Sequence, residues 1–258
     1  MTTIPSLFRL DGRQALITGA SSGLGQHMAR TLALAGARVH LAARNIDKLS
    51  AVVERLRSEN AQAQAWALDV QDPTSVEATF AALHAEVGAM DILINNAGIT
   101  NTRALLQQEV AEWNAILDTN LRGAWLVARA GVRAMVAAGS GGAVVNIASI
   151  LGERVAGGVA PYSASKAGLI QLTQSMALEW ARHGVRCNAL LPGYVATDLN
   201  RDFLASEAGE KLRQRVPTRR FGEAADLDGP LLLLCSDAGR HMTGVALPVD
   251  GGHLISSL

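Results

Sequence analysis

The sequence predicts an α/β fold in which a doubly wound, seven-stranded parallel sheet carries helices on both faces. Short β-branched apolar runs alternate with longer helix-like stretches, a glycine-rich turn follows the first run, and 258 residues suit one large domain. No internal repeat or Pro/Ser-rich linker divides the sequence, so we predict a single domain over residues 1–258. The ligand crevice of such a sheet lies at the carboxyl ends of its strands.

Each predicted strand is a short, mostly apolar run, as expected where both faces of a parallel sheet are covered. The seven predicted strands are Gln14–Thr18, Ala37–Ala43, Gln64–Leu68, Asp91–Asn95, Ala143–Ala148, Val185–Leu191 and Val245–Val249. Amphipathic segments begin near Leu24, Ile46, Pro73, Ala111, Tyr162 and Glu223. Residues 193–222 form a long connection with few strand signals. Because long connections in compact domains are often lids over sites, we predict a substrate lid there.

Composition and charge exclude several classes of protein. The formal net charge is +0, which gives no reason to expect a nucleic-acid partner or an anionic membrane surface. Cys187 and Cys235 are too few for a disulfide framework or a metal-ligand cluster, so no metal is expected. The N-terminus shows no signal-peptide pattern, and no apolar run approaches the roughly 20 residues of a membrane span. We therefore expect a cytoplasmic protein.

The turn after the first strand has the chemistry of a dinucleotide site. It runs Thr18-Gly19-Ala20-Ser21-Ser22-Gly23-Leu24-Gly25, from a buried strand into a helix. Glycines allow a tight turn and let backbone N–H groups approach a pyrophosphate, while the helix N-terminus faces the anion. An ordinary glycine turn is the alternative, but the strand before it and the helix after it favour a dinucleotide.

The end of the second strand predicts which cofactor binds. Asp or Glu here would hold the ribose hydroxyls of NAD(H), but the sequence has Ala43 and Arg44. Ala43 removes a carboxylate that would repel phosphate, Arg44 offers a planar fork for it, and Ser22 could add a hydroxyl. We therefore expect NADP(H) to be preferred over NAD(H). In the alternative, Arg44 is solvated and Asp47 reaches the ribose, although Asp47 is expected in the first turn of the next helix.

A Tyr-x-x-x-Lys spacing joins Tyr162 and Lys166, in a chain with only 2 tyrosines. In a helix this spacing places both side chains on one face, one turn apart. An ammonium about 4 Å from a phenol favours the phenolate by roughly 4 kcal/mol at an effective dielectric of about 20, or about three pKa units. We therefore predict that Lys166 lowers the pKa of Tyr162 toward neutrality, which would let Tyr162 exchange a proton with an alcohol or carbonyl. An exposed helix pair without function is the alternative for this spacing seen alone.

Further motifs follow along the chain in a fixed order. They are Asp69-Val70 after the third strand, Asn95-Asn96-Ala97-Gly98 closing the fourth, Asn120 in the helix beyond, Ser149 ending the fifth, and Pro192-Gly193 with Thr197 after the sixth. With the glycine turn and the Tyr-x-x-x-Lys pair, they resemble the short-chain dehydrogenase/reductase family across essentially the whole chain. The resemblance implies a Rossmann-type fold that binds NAD(P) and interconverts a secondary alcohol and a ketone. The cofactor residues it implies are Gly19, Ser21, Ser22, Gly23, Leu24, Gly25, Arg44, Asp69, Val70, Asn96, Ala97, Gly98, Tyr162, Lys166, Pro192, Gly193, Val195 and Thr197.

The resemblance also implies a catalytic tetrad of Asn120, Ser149, Tyr162 and Lys166. Ser149 would donate a hydrogen bond to the substrate carbonyl, and Tyr162 would transfer the proton. Lys166 would lower the pKa of Tyr162 and hold the nicotinamide ribose. Asn120 would anchor a water that relays protons from Lys166 to solvent; alternatively, Asn120 caps or kinks a helix, and Ser149 is a turn residue.

The nearer resemblance is to gluconate 5-dehydrogenase-like members of the family. The similar stretches are Pro192-Gly193-Tyr194 with Thr197, Asp198 and Asn200, then residues 216–222 and Val249-Asp250-Gly251-Gly252. Bacterial 3-oxoacyl-carrier-protein reductases share much of this pattern, so reduction of a 3-oxoacyl chain or another carbonyl is the alternative. A catalytically silent nucleotide-binding sensor is the alternative of another class, but such a protein need not keep the tetrad.

Residues at the crevice mouth are candidates for contacts with a small-molecule substrate. We predict that these contacts come from Arg103, Ser149, Leu151, Tyr162 and Tyr194. Arg103 could pair with a substrate carboxylate, unless it is simply solvated.

Family members are commonly tetramers or dimers built on the helices before and after the fifth strand, here roughly residues 111–137 and 162–183. Both segments carry apolar residues beyond one core stripe, including Trp125 and Trp180. We therefore expect a homotetramer, with a dimer as the alternative.

Overall fold

The computed structural model describes residues 3–197 and 200–256, so Asp198 of the predicted lid lies outside the described residues. Seven strands form one sheet in the order β3-β2-β1-β4-β5-β6-β7, and every neighbouring pair is parallel. The strands are β1 (Gln14–Thr18), β2 (Arg38–Ala43), β3 (Ala63–Ala67), β4 (Ile92–Asn95), β5 (Gly142–Ile147), β6 (Val185–Pro192) and β7 (Ala246–Val249). The predicted fold class is confirmed.

Helices cover both faces of the sheet. They are α1 (Ile4–Leu7), α2 (Gly23–Leu34), α3 (Ile46–Ser58), α4 (Pro73–Val87), α5 (Val110–Leu117), α6 (Ala124–Ala138), α7 (Ala160–Trp180), α8 (Arg201–Leu204), α9 (Glu207–Arg213) and α10 (Asp228–Cys235). Buried side chains of α2, α3 and α10 form one core layer, and those of α4, α6 and α7 contribute to the layer on the opposite face. The central strands β1, β4 and β5 are almost entirely buried, which is why they read as continuous apolar runs.

The winding of the chain reverses beside β1. Ile17 of β1 lies opposite Leu41 of β2 on one side and Ile94 of β4 on the other, so the connections leave β1 in both directions. The chain therefore continues from β1 and from β4 to helices on opposite faces of the sheet. Open α/β sheets bind ligands at the carboxyl ends of the strands where the winding reverses in this way.

The helix predicted near residues 111–137 is not continuous. A π-helical stretch, Asp118–Gly123, separates α5 from α6. The stretch is fixed by the loop after β3, because Gln71 Nε2 donates to Thr119 Oγ1 at 2.7 Å and Arg122 Nη1 donates to the Gln71 carbonyl at 3.2 Å. Isolated π-helical turns inside α-helices are frequent at functional sites.

The predicted lid contains the two short helices α8 and α9. Its two ends are joined at the base, where Ala196 N donates to Gly222 O at 3.0 Å and Gly222 N donates to Tyr194 O at 2.9 Å. The segment therefore leaves and rejoins the body of the protein at one point, beyond the carboxyl end of β6.

A buried histidine links β1, β2 and β3. Trp66 Nε1 donates to His40 Nδ1 at 3.1 Å, so Nε2 carries the proton and faces Gln14 Oε1 at 2.8 Å. Burial is the main cause that lowers the pKa of His40 to about 4. The imidazole is therefore neutral in the folded protein at physiological pH.

Acid should destabilise the protein through His40. Below the ordinary histidine pKa of about 6.5, His40 binds a proton in the unfolded chain but stays neutral in the folded protein. The contribution of His40 to the free energy of unfolding is therefore complete above pH 6.5 and is lost as the pH falls toward 4. The loss amounts to up to about 3 kcal/mol. Urea unfolding from pH 7 to 4.5 should show a shallower decline in the free energy of unfolding for His40→Gln than for the wild type. The exposed His84→Gln should retain the wild-type decline; identical slopes for all three proteins would contradict this.

Candidate active site

The glycine turn opens the crevice between β1 and α2. Gly19 and Gly23 have φ of +64° and +54°, values that favour glycine. A Cβ at Gly19 would stand 2.8 Å from the Cα of Ala97, so the turn lies directly against the loop after β4. A Cβ at Gly23 would meet no atom within 4 Å, so this part of the turn borders open space. The open backbone at the N-terminus of the 12-residue helix α2 fits a pyrophosphate.

Thr18 and Asn96 fasten this turn to the end of β4. Thr18 Oγ1 accepts from the backbone N–H groups of Asn96 and Ala97, both at 3.1 Å. Asn96 Nδ2 donates to the carbonyls of Thr18 and Gly19 at 3.0 and 3.1 Å. Asn96 is a predicted cofactor residue, and in the structure its side-chain amide also holds the glycine turn. Thr18 was not among the predicted site residues, because a β-branched residue that ends a strand is also an ordinary core residue.

The residues that the sequence predicts to hold the adenosine part of the cofactor lie at the ends of β2 and β3. Arg44 is exposed, and the side chain of the next residue, Asn45, caps α3 by accepting from Lys48 N at 2.9 Å. Asp47 lies in the first turn of α3, as expected. Asp69 Oδ1 accepts from Gln71 N at 3.0 Å, so its carboxylate is held at the end of β3.

Ser149, Tyr162 and Lys166 come together beyond the carboxyl end of β5. Ser149 is buried, its Oγ accepts from Leu151 N at 3.1 Å, and it lies close enough to Tyr162 to lower the pKa of the phenol. Lys166 is 4% exposed, and its Nζ donates to the Ile147 carbonyl at 2.7 Å. The Nζ stands 5.5 Å from the centroid of the Tyr162 ring. The predicted helical spacing is confirmed, since both residues lie in the first part of α7.

The predicted acidification of Tyr162 by Lys166 is wrong for the protein alone. Burial is the main cause that raises the pKa of Tyr162, the nearby Ser149 hydroxyl opposes it, and Tyr194 raises the pKa further. Burial also lowers the pKa of Lys166 to about 8. The physical reason is that the ammonium stands over the ring and donates to Ile147, while desolvation penalises a phenolate. In the free protein Tyr162 is therefore a protonated phenol at pH 7.

Asn120 lies inside the π-helix and is almost fully buried. Its Oδ1 accepts from Ile99 N at 2.8 Å, and its Nδ2 donates to Ile99 O at 2.9 Å and to Ser165 Oγ at 3.0 Å. Both amide hydrogens are therefore occupied, so only an oxygen lone pair of the side chain remains for the predicted relay water. The alternative, that Asn120 caps or kinks a helix, agrees with its position in the π-helical stretch between α5 and α6.

Of the predicted substrate residues, Tyr194 lies near the catalytic tyrosine, whereas Arg103 is paired with an acidic residue. Tyr194 packs between Phe221, at 6.3 Å between ring centroids, and His253, at 5.5 Å, and it is close enough to influence Tyr162. The guanidinium of Arg103 forms an ion pair, because its Nη2 lies 2.9 Å from Glu112 Oε1. A carboxylate ligand of Arg103 would therefore compete with Glu112.

Comparisons with known proteins decide the family. A family model described as "Enoyl-(Acyl carrier protein) reductase" matches residues 19–253. Gluconate 5-dehydrogenase of Gluconobacter oxydans is 38% identical over 98% of both chains. The 3-oxoacyl-[acyl-carrier-protein] reductase FabG of Escherichia coli is 37% identical over 94% of this chain and 97% of its own. The chain belongs to the short-chain dehydrogenase/reductase family.

A solved structure agrees with this assignment. A gluconate 5-dehydrogenase from Burkholderia cenocepacia, in complex with NADP and tartrate, superimposes with a TM-score of 0.95 at 39% identity, covering 98% of this chain and all of the other. This short-chain dehydrogenase/reductase is therefore an NAD(P)-binding oxidoreductase that acts on CH–OH groups, as predicted, rather than a silent sensor.

Within residues 3–197 and 200–256, no group of three or more His, Cys, Asp or Glu side chains could hold a metal ion. In the same part of the chain, no helix is long and apolar enough to cross a membrane.

Proposed function

We propose that the protein is an NADP(H)-dependent oxidoreductase that interconverts a ketone and a secondary alcohol of a sugar acid, as a gluconate 5-dehydrogenase (5-ketogluconate reductase) does. The observation that carries the proposal is the grouping of Ser149, Tyr162 and Lys166 beside the loop after β4. A Cβ at Gly98 of that loop would lie 3.6 Å from Lys166 Nζ, so the loop and the catalytic lysine bound the same space.

We propose that the cofactor is held along the crevice by the residues predicted for it. The open turn at Gly23 receives the pyrophosphate, Arg44 and Ser22 receive the 2′-phosphate, and Lys166 holds the nicotinamide ribose. Asp69 and Val70 flank the adenine. The remaining cofactor contacts come from Gly19, Ser21, Leu24, Gly25, Asn96, Ala97, Gly98, Tyr162, Pro192, Gly193, Val195 and Thr197. When bound, NADP(H) supplies or accepts the hydride.

The tetrad residues handle the proton and the developing charge. Ser149 donates a hydrogen bond to the substrate carbonyl and stabilises its oxyanion. Tyr162 transfers its phenolic proton to that oxygen during reduction and removes it during oxidation. Because burial raises the pKa of Tyr162, the free protein holds the protonated form that reduction requires. The charge of Lys166 stabilises the phenolate left behind, and Asn120 holds the loop beside them.

A second candidate, reduction of a 3-oxoacyl or other uncharged ketone, is favoured by the pairing of Arg103 with Glu112. That ion pair neutralises the cation that a sugar acid would need. Leu151, Tyr194 and the exposed Ile99 and Val155 offer apolar surface near the same loops. We propose that residues 193–222 close over either type of substrate as a lid.

Arg103 should distinguish the two candidates. With NADPH and 5-ketogluconate, Arg103→Ala is expected to raise KM by about tenfold, since a charged hydrogen bond contributes roughly 1.5–3 kcal/mol. Glu112→Gln should lower KM for the same acid, because it removes the carboxylate that competes for Arg103. Turnover of an aryl ketone should respond to neither change. Parallel effects on both substrates would contradict the carboxylate clamp, and turnover of only a 3-oxoacyl thioester would favour the second candidate.

We also propose a homotetramer located in the cytoplasm. An apolar groove of about 480 Å³ lies between the π-helix, α6 and α7, lined by Leu117, Asp118, Leu121, Arg122, Trp125, Gly168 and Leu172. Trp125 is exposed there and Leu178 is exposed further along α7, whereas Trp180 packs against the core. Burial of this surface against a second copy would stabilise an oligomer. Light scattering should give a mass of four chains; a value near the 27.1 kDa of one chain would refute any oligomer.

A further inference from the structure

Ser165 is a fully buried hydroxyl inside the Tyr162–Lys166 turn, and the reaction described above leaves it without a role. Its Oγ donates to the Tyr162 carbonyl at 2.7 Å and accepts from Asn120 Nδ2 at 3.0 Å. A serine hydroxyl can donate one bond and accept another, so the two bonds form a chain from the π-helix to the backbone of Tyr162.

Asn120 extends this chain to the loop after β4. Its side chain makes two bonds with the backbone of Ile99 and one with Ser165, so Ile99 and Ser165 are held through a single amide group. The neighbouring Gly98 is packed into the same junction, since a Cβ there would lie 3.3 Å from Asn120 Oδ1. Three segments of the site, from β4, the π-helix and α7, are thereby joined.

No side-chain cap holds the start of the helix that carries Tyr162. Helix α7 begins at Ala160, and the residue before it, Val159, makes no side-chain capping bond. Tyr162 is the third residue of the helix, in the turn that frays most readily when no cap holds it. The bond from Ser165 is made to the Tyr162 carbonyl, inside this first turn.

We propose that Ser165 is a positioning residue, which locks the turn bearing Tyr162 and Lys166 to Asn120 and, through Asn120, to Ile99. This inference rests on the proposed role of Tyr162 as the proton donor. Ser165 touches neither substrate nor cofactor; it acts by fixing where the phenol and the ammonium stand.

The kinetic test is a double-mutant cycle in kcat. Ser165→Ala keeps the helix, because alanine is the best helix former, but leaves a buried Asn120 N–H without its acceptor. We expect kcat to fall about tenfold, with less than a twofold change in the dissociation constant of NADPH. Asn120→Ala should cost more, and the double variant should be at most about twofold slower than Asn120→Ala, because the two residues act through one bond.

Ser175→Ala is the matched control. Ser175 lies on the exposed side of the same helix, and its Oγ donates to the Gln171 carbonyl four residues earlier at 3.3 Å. It makes the same type of helix bond without a link to Asn120, so its removal should leave kcat unchanged.

A titration supplies a readout that does not need activity. In a Tyr194→Phe background Tyr162 is the only tyrosine, and ultraviolet difference spectroscopy reports its ionisation. Adding Ser165→Ala should move that titration down toward the ordinary pKa of about 10, because a loosened turn admits water to the phenol. An unmoved titration, or additive losses in the cycle, would overturn the role of Ser165. Failure of the wild type to reduce any carbonyl would instead overturn the proposed function, while the titration would still decide the role of Ser165.

Discussion

Tyr162→Phe is expected to lower kcat by at least about 10³-fold while leaving the binding of NADPH intact. The substitution removes only the hydroxyl, and general acid–base catalysis by a positioned side chain typically contributes 10²–10⁴-fold. The ring that packs beneath Lys166 Nζ is retained, so the fold and the crevice should not change. Steady-state rates with 5-ketogluconate or an aryl ketone would give kcat, and quenching of tryptophan fluorescence by NADPH would give the dissociation constant.

Tyr194→Phe is the comparison for this experiment, because it removes the only other phenol of the chain. Tyr194 stacks with Phe221 and His253 and is not bonded to Ser149, so its loss should change kcat by less than tenfold. If Tyr162→Phe retained more than a few per cent of wild-type kcat, or if Tyr194→Phe were equally damaging, Tyr162 would not be the proton donor.

The second large effect is expected at Arg44, in the choice of cofactor. Arg44→Asp should lower the ratio of kcat/KM for NADPH over NADH by about 10²- to 10³-fold. Loss of a charge-assisted bond to the 2′-phosphate accounts for roughly 1.5–3 kcal/mol, and the new carboxylate adds repulsion to phosphate and an acceptor for ribose hydroxyls. Rates with the two cofactors under identical conditions would give the ratio.

Arg55→Asp makes the same change of charge on the last turn of α3 and serves as the control. If a general loss of positive charge were responsible, both variants would lower the ratio to a similar extent. A ratio unchanged by Arg44→Asp would mean that another group recognises the 2′-phosphate, or that the enzyme does not distinguish the two cofactors.

The fold could be predicted because the sequence patterns that indicate it, apolar runs and short motifs, each lie within a few consecutive residues. The apolar runs at β1, β4 and β5 are buried on both sides, and their bounds fall within one residue of those expected. The glycine turn, Ser149, and the Tyr162–Lys166 spacing depend on chain geometry over a few residues, and the structure places them at the carboxyl edge of the sheet as the pattern indicated.

What could not be predicted depends on contacts between distant segments. The π-helix is held by a hydrogen bond between Gln71 and Thr119, which are 48 residues apart. No local sequence pattern predicts this π-helix. The pairing of Arg103 with Glu112 and the bond from Asn120 to Ser165 likewise need the folded chain. The predicted direction of the Tyr162 pKa is wrong because the sequence spacing shows the neighbouring charge of Lys166 but not the burial of the phenol, which outweighs it.

The π-helix has a consequence for how this enzyme can vary. A π-turn holds more residues than an α-turn, so deleting one residue between Asp118 and Gly123 would let α5 and α6 merge into one regular helix. The π-turn accommodates its extra residue without turning the helix that follows, so the merged helix would keep Leu126 and Val127 in the core but would lose the bulge that holds Asn120 against Ile99. Insertions and deletions should therefore be tolerated in the lid but selected against in this stretch.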